Sequence, residues 1–317
     1  MIVPVTDYTF PNLDPEQKAL AKVGASIKGF QSKTEAEVIA NIAGSKVVIA
    51  QFAPITKKVL ASLADNATVI RYGVGVDNID LQAAKELGIK VAYVPDYCMD
   101  EVANHTVAML LSLMRALPIL DKGVRNNRWD GIAMAKPLVP LKEAKVGLIG
   151  LGRIGTEVVK RLKAFGPRIN VYDPYLSQEK AAEIGVSLVS LAELFASSDA
   201  ISLHSPLNEQ TKYIINSESL AKMKPNAVIV NAARGGLIET EALVKALKNK
   251  TIRAAALDVF EQEPLPADSE LKQLDNVFLS PHLAWYSDTA IERLQRLAGE
   301  EAARAVAGES LRCPYPL

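Results

Sequence analysis

Two cysteines, Cys98 and Cys313, are all that the chain contains, and they stand far apart. Neither a metal-ligand spacing nor a disulfide framework can be built from them, so no metal is expected and a reducing cytoplasm is the expected setting. An excess of charge is missing too: Lys plus Arg and Asp plus Glu both number 36, giving a net charge of zero. Nothing in that balance draws the chain to nucleic acid or to an anionic membrane. Long hydrophobic runs are absent. The most apolar helical stretch, TVAMLLSLM, is about half of what a bilayer span requires. The opening MIVPVTDYTFPN has no basic start, so it is not expected to be a leader. What remains is 49% hydrophobic and 23% charged over 317 residues, enough for two globular domains with separate cores.

From about residue 45, short β-branched runs alternate with amphipathic segments. KVVIA (46–50), TVIRY (68–72) and KVAYV (90–94) read as strands. TKKVLASLA (56–64), with Thr56 as N-cap, and DLQAAKELG (80–88), ending at Gly88, read as helices between them. The longest helical pattern spans 100–120, where Val102, Thr106, Met109, Leu113 and Leu117 recur at helical spacing. It is apolar on more than one face, so it could bridge domains or meet its copy in a dimer. His105, within it, is expected to pack rather than to do chemistry. A polar, proline-bearing connector follows (124–143), and then six further strand candidates: AKVGLIG, INVYD, AISLH, AVIVN, RAAALDVF and NVFLS. Strand–helix alternation of this kind predicts doubly wound parallel sheets, an α/β fold.

GLIGLGRIG places Gly150, Gly152 and Gly155 in the G-x-G-x-x-G spacing, after a strand and before a helix whose Ile154, Val158, Leu162 and Phe165 form an apolar stripe. In that context the first glycine permits a tight turn, the second admits a pyrophosphate, and the third brings helix and strand together. Free N–H groups at the helix start then meet the phosphate. Asp173 lies at the end of the next strand, 18 residues beyond Gly155. A carboxylate there suits the ribose hydroxyls and repels a 2′-phosphate, so NAD is the expected cofactor.

Ligands of open α/β sheets bind beyond the carboxyl ends of the strands. There the chain carries His204, Arg234 in NAARGG, Asp258 and Glu263 in LDVFEQEPLP, and His282 in SPHLAWYSD. Arg234 suits the gripping of a carboxylate and the polarising of a carbonyl. Of these side chains only a histidine such as His282 has an unperturbed pKa near neutrality, and a Glu beside it would favour imidazolium and fix the ring. Beside a dinucleotide loop, these three residues point to hydride transfer matched by proton transfer.

GLIGLGRIG, NAARGGLIE, LDVFEQEPLP and SPHLAWYSD, with RYGVGVDNID (71–80) upstream, resemble the D-isomer-specific 2-hydroxyacid dehydrogenases over essentially the whole chain. The resemblance implies two Rossmann-like or flavodoxin-like domains. One is a discontinuous substrate domain, 1–99 plus 287–317, and the other an NAD-binding domain, 100–286. It implies Arg234, Glu263 and His282 as the catalytic set. It implies cofactor contacts from Arg153 and Ile154 at the phosphates, Asp173 at the ribose, and Ala232, Asp258 and His282 on the nicotinamide side, with His204 supporting the loop. The backbone of Tyr72, Gly73, Val74 and Gly75, running on to Val76, corresponds to the family's substrate-carboxylate cradle. In formate dehydrogenase relatives a glutamine stands where this chain has Glu263, so the acid favours 2-oxo/2-hydroxy acid chemistry. HLAWYSD is similar to the C-terminal-binding-protein branch, NAD(H)-sensing corepressors. There Trp285 would line the substrate pocket; ordinary packing at a domain interface is the other reading. The expected function is an NAD-dependent D-2-hydroxyacid dehydrogenase acting on a small 2-oxo or 2-hydroxy acid. A corepressor-like binding protein is the alternative, disfavoured by the short RCPYPL tail. A homodimer is expected through the 100–120 helix.

Overall fold

The computed structural model describes residues 1–317, which divide into two compact units: Met1–Cys98 with Tyr286–Leu317, and Met99–Trp285. The first unit is built on a five-stranded parallel sheet of β1 (Ile2–Val5), β2 (Ser26–Gly29), β3 (Val47–Ala50), β4 (Thr68–Arg71) and β5 (Lys90–Tyr93), in the order β2-β1-β3-β4-β5. Every residue of β3 is buried, as expected of a central strand covered on both faces. The C-terminal segment completes this unit. Its helix Asp288–Ala307 lies so close to the helix Asp14–Ala21 that a Cβ at Gly299 would stand 2.6 Å from the Cα of Glu16. Beyond that helix, Tyr315 N–H donates to the Val91 carbonyl at 2.7 Å, and Pro314 bridges Ala92 in antiparallel fashion.

The second unit holds a seven-stranded parallel sheet: β6 (Lys145–Ile149), β7 (Arg168–Tyr172), β8 (Ser187–Leu188), β9 (Ala200–Leu203), β10 (Val228–Asn231), β11 (Ala254–Leu257) and β12 (Val277–Leu279). The order β12-β11-β10-β9-β6-β7-β8 puts the topological switch between β6 and β9, at the end of β6 where the glycine loop begins. Successive strand residues feed opposite faces. Ile201, Leu203, Ile229 and Leu257 enter one core, while Val146, Leu148, Val228 and Val230 enter the other. All six strand candidates of this unit are present.

Three expectations are corrected. The 100–120 pattern is two helices, Met99–Met114 and Leu117–Arg125, because Ala116 turns into the left-handed region (φ 56°) and Pro118 opens the second. Leu117 therefore leaves the buried stripe and is 54% exposed, and the longest helix is Asp288–Ala307 with 20 residues. The stripe of the helix Arg153–Leu162 likewise ends at Leu162, with Phe165 exposed in the turn that follows. The strand within RAAALDVF stops at Leu257, which frees Asp258 onward as loop. No helix is long and apolar enough to cross a membrane.

Candidate active site and cofactor cradle

The three glycines after β6 are required for different reasons. Gly150 sits at φ 92°, and a Cβ there would meet the His204 carbonyl at 2.9 Å. A Cβ on Gly155 would stand 2.8 Å from the Gly150 carbonyl oxygen. At Gly152 a Cβ would meet nothing within 4 Å, so the space before it is open. Gly152 is also the N-cap of the helix Arg153–Leu162, and no side chain accepts from that helix's first N–H groups. An open space facing uncapped amide donors fits a pyrophosphate. Asp173, directly after β7, accepts from Leu151 N–H at 2.8 Å and from Tyr175 N–H at 2.9 Å, bracing the glycine loop. Arg153 is exposed and Ile154 half-buried at the helix start.

His204 packs beside this loop, its Cβ 3.5 Å from where a Gly155 Cβ would lie, and its Nε2 is 2.9 Å from Ser202 Oγ. Burial pushes its pKa down from 6.5 to about 4. A histidine depressed in the fold stabilises it fully above its unfolded pKa and loses that contribution as pH falls toward the folded value. The Tm should therefore drop by a few degrees between pH 6.5 and 4, and His204→Asn should flatten that part of the curve. An unchanged slope in the variant would contradict the assignment.

At the ends of β10, β11 and β12 three loops converge. Asn231, buried at the end of β10, shapes the first: its Oδ1 accepts from Ala233 N–H at 3.0 Å and its Nδ2 donates to the Arg234 carbonyl at 2.9 Å. Arg234 donates from Nη1 to the Ala233 carbonyl at 2.6 Å and stays half-buried; Ala232 is half-buried beside it. Gly235 lies against the second loop so tightly that a Cβ would fall 1.9 Å from the Phe260 carbonyl carbon. Glu261 of that loop accepts from Thr240 N–H at 2.8 Å, tying it to the start of the helix Thr240–Lys248.

Glu263 and His282 meet directly, with Nδ1 and Oε2 2.6 Å apart and side chains 34% and 42% exposed. The other Glu263 oxygen accepts from Phe260 N–H at 2.8 Å. Burial raises the Glu263 pKa, but the His282 and Phe260 hydrogen bonds outweigh it and hold the carboxyl below its ordinary 4.5. An ionised Glu263 can only accept, so the hydrogen bond runs from His282 Nδ1–H to its Oε2, leaving Nε2 as the imidazole's remaining acid–base atom. His282 itself is in the left-handed region (φ 52°), its N–H donating to the Asp258 carbonyl at 2.7 Å. Trp285 Nε1 donates to the His282 carbonyl at 2.9 Å, a polar attachment that neither reading of Trp285 anticipated. Asp258 is fully buried, and its carboxylate accepts from Ser280 Oγ at 2.5 Å and from Leu283 and Ala284 N–H at 3.0 and 2.9 Å. Those bonds were not foreseen. The signal available was a small polar residue, Ser280, at a strand's carboxyl end.

In the first unit, Tyr72 is buried with its hydroxyl donating to Glu16 at 2.7 Å, and Gly73 (φ 129°) leads into Val74 and Gly75. Burial raises the Glu16 pKa, the hydrogen bond from Tyr72 opposing it. The sequence reading missed Arg71, whose guanidinium lies against Gly73, donates to the Tyr72 carbonyl and sits 5.9 Å from the Phe52 ring.

Comparison with known proteins shows what the chain is similar to as a whole. The family described as D-isomer specific 2-hydroxyacid dehydrogenase, NAD binding domain, matches residues 107–284. D-3-phosphoglycerate dehydrogenase of Methanocaldococcus jannaschii is 40% identical over 294 residues, 92% of this chain and 55% of that one. Glyoxylate reductase of Thermofilum pendens is 40% identical over 267 residues, 80% of this chain and 77% of that one. Among solved structures, D-lactate dehydrogenase of Aquifex aeolicus complexed with NAD and lactic acid superposes with a TM-score of 0.86 at 29% identity, over 97% and 96% of the two chains. The chain spans about half the length of several of the phosphoglycerate dehydrogenases it matches.

Proposed function

The chain belongs to the D-isomer specific 2-hydroxyacid dehydrogenase family, and on that premise we propose that it interconverts a 2-oxo acid and a D-2-hydroxy acid with NAD(H). The observation that carries this reading is the 2.6 Å His282–Glu263 pair. A carboxylate that accepts from Nδ1 orients the ring and leaves Nε2 to exchange a proton with a carbonyl or alkoxide oxygen. Arg234, on a loop shaped by Asn231, grips the substrate carboxylate and polarises the 2-carbonyl. Within the first unit taken by itself, the loop Tyr72–Gly75 with the Arg71 guanidinium against Gly73 is suited to binding a carboxylate. When bound, the dinucleotide supplies or takes up the hydride. Gly150, Gly152 and Gly155 with Arg153 and Ile154 hold its pyrophosphate, and Asp173 selects its ribose. Ala232, Asp258 and His282 stand on the nicotinamide side, and His204 supports the loop.

NADH oxidation against glyoxylate, pyruvate, hydroxypyruvate and phosphohydroxypyruvate tests the reading and names the substrate class. Turnover on one of these acids supports it. Tight NADH binding without turnover on any 2-oxo acid would overturn it in favour of a sensing and recruiting protein, which the dehydrogenases and reductases among the relatives do not favour. Gly152→Val tests the cradle. The φ of −74° accepts a side chain and no protein atom is in the way. The variant should therefore fold with the wild-type Tm yet bind NADH at least about tenfold more weakly. Unchanged affinity would remove Gly152 from the site.

A homodimer belongs to the same proposal. The helix Leu117–Arg125 and the segment after it expose Leu117, Val124, Trp129 and Ile132, the last two at 88% and 83%. Apolar side chains exposed together in this way mark a protein contact. Trp129→Glu combined with Ile132→Glu should give a monomer by light scattering; a persisting dimer would place the interface elsewhere. A reducing cytoplasm belongs to the same proposal, since Cys98 and Cys313 form no disulfide.

A further inference from the structure

His282 occupies a left-handed backbone conformation (φ 52°) that is unfavourable for a non-glycine residue, so the turn that carries it has to be held. What holds it is the Asp258 carboxylate, which accepts the N–H groups of Leu283 and Ala284, the two residues after His282. Through Ser280, Asp258 is in turn linked to a side chain outside the loop cluster. Ser280 Oγ donates to its Oδ1 at 2.5 Å, and His105 Nε2 lies 3.1 Å from that Oγ and 3.7 Å from the carboxylate oxygen. His105 comes from the helix Met99–Met114, which packs against β9, β10 and β11.

The donor order follows from chemistry. A carboxylate can only accept, so the Ser280 hydroxyl proton goes to Asp258, and the hydroxyl oxygen is left to accept from His105. His105 therefore carries its proton on Nε2. The result is a directed chain: His105 Nε2–H to Ser280 Oγ–H to Asp258 Oδ1, which receives the Leu283 amide. Bonds to a buried carboxylate are stronger than neutral ones, and a fully satisfied chain of them rigidifies what it touches.

We propose that His105 is a positioning residue for His282, acting through Ser280 and Asp258 to fix the 282–284 turn against the helix Met99–Met114. The inference rests on the acid–base role given to His282 above. His105 does not touch the substrate or exchange its proton; it sets where the His282 ring stands. Its place on an apolar helix, which the sequence reading took for packing, is what makes it a rigid anchor.

The test compares His105→Ala, His105→Gln, Ser280→Ala, the double variant His105→Ala/Ser280→Ala, and His282→Ala. Gln places an amide N–H close to the position of the imidazole Nε2, so it keeps the donor and removes the ring. His105→Ala should lose about ten- to a hundredfold in kcat, the effect of a reacting group displaced by a fraction of an ångström to an ångström. Its KM for NADH should stay within about twofold of wild type, and His105→Gln should recover most of the kcat. Ser280→Ala should match His105→Ala, and the double variant should be no worse than either, because the three residues form one chain. A readout independent of turnover is amide hydrogen exchange at Leu283 and Ala284 without cofactor: faster in both Ala variants, restored in His105→Gln. Wild-type kcat and exchange in His105→Ala overturn the proposal, and so does an equal loss in His105→Ala and His105→Gln. Should His105→Ala not fold, Ser280→Ala decides by the same two readouts. The underlying reading fails separately, if His282→Ala keeps its turnover.

Discussion

Replacing His282 by Ala should lower kcat by about 10²- to 10⁴-fold, the usual contribution of a positioned general acid. The folded chain and its NADH affinity should be nearly unchanged. The affinity is expected to survive because the cradle around Gly150, Gly152 and Asp173 lies at the β6 and β7 ends of the sheet, and no hydrogen bond of the His282 side chain reaches it. Fluorescence titration with NADH and steady-state kinetics on the same preparation separate the two quantities. Loss of cofactor binding together with turnover would mean that His282 supports the site rather than supplying the proton.

Glu263→Gln is the graded companion of that variant. Glu263 has a pKa held below 4.5, so its carboxylate is ionised throughout the neutral range. A depressed acid stabilises the fold above its unfolded pKa and loses that contribution only as pH falls through the folded value. The pair is therefore intact at neutral pH and dissolves only in acid below about 4.5. With the fixed negative charge removed, the pH above which reduction falls off should move lower. A pH–rate profile that does not move would show the carboxylate to be a spectator.

Much of this was legible in the residues. β3, β4, β6, β7, β9, β10 and β11 are runs of small or β-branched residues between turn signals, and period and length suffice to find them. β1 and β2 were missed because IVPV holds a proline, SIKG ends on a glycine and alternates polar with apolar over too few residues to show a period, and β8 is only two residues long. The break at Ala116 was hidden because Leu117 continues the apolar spacing while the backbone reverses hand. Of the candidate site, the residue types at the strand ends suggested the chemistry. What those types leave open is direction: which imidazole nitrogen Glu263 takes, and that the Asp258 carboxylate turns inward onto Ser280 and two backbone amides. Such choices are made by loop geometry, and hydrophobic period says nothing of it. Arg71 and His105 escaped for a similar reason, since each works through a neighbour distant in sequence or through the backbone.

Gly235→Ala should be nearly as damaging as loss of His282, and for a reason that no property of glycine's own backbone supplies. Its φ is not positive, so the added methyl meets no conformational penalty. It meets instead the backbone of the neighbouring loop: 1.9 Å from the Phe260 carbonyl carbon, 2.0 Å from its oxygen and 2.5 Å from the Glu261 nitrogen. Backbone cannot rotate away as a side chain can. The Arg234 loop and the loop carrying Glu263 must separate by an ångström or more, and through the Glu263–His282 hydrogen bond the imidazole moves with them. Overpacking of this severity costs about 3 kcal/mol. For a unit of this size that is roughly 6–12 °C in Tm. A misplacement of about 1 Å costs around a hundredfold in rate. Gly236→Ala is the matched control. Its Cβ would approach only the Leu207 side chain, at 2.9 Å, which can swing aside, so it should keep most of both activity and Tm. Differential scanning calorimetry and kcat on the two variants check the contrast. Equal tolerance of both methyl groups would mean that the arginine loop and the Glu263 loop are not mechanically joined, and that Arg234 and His282 are aligned by other contacts.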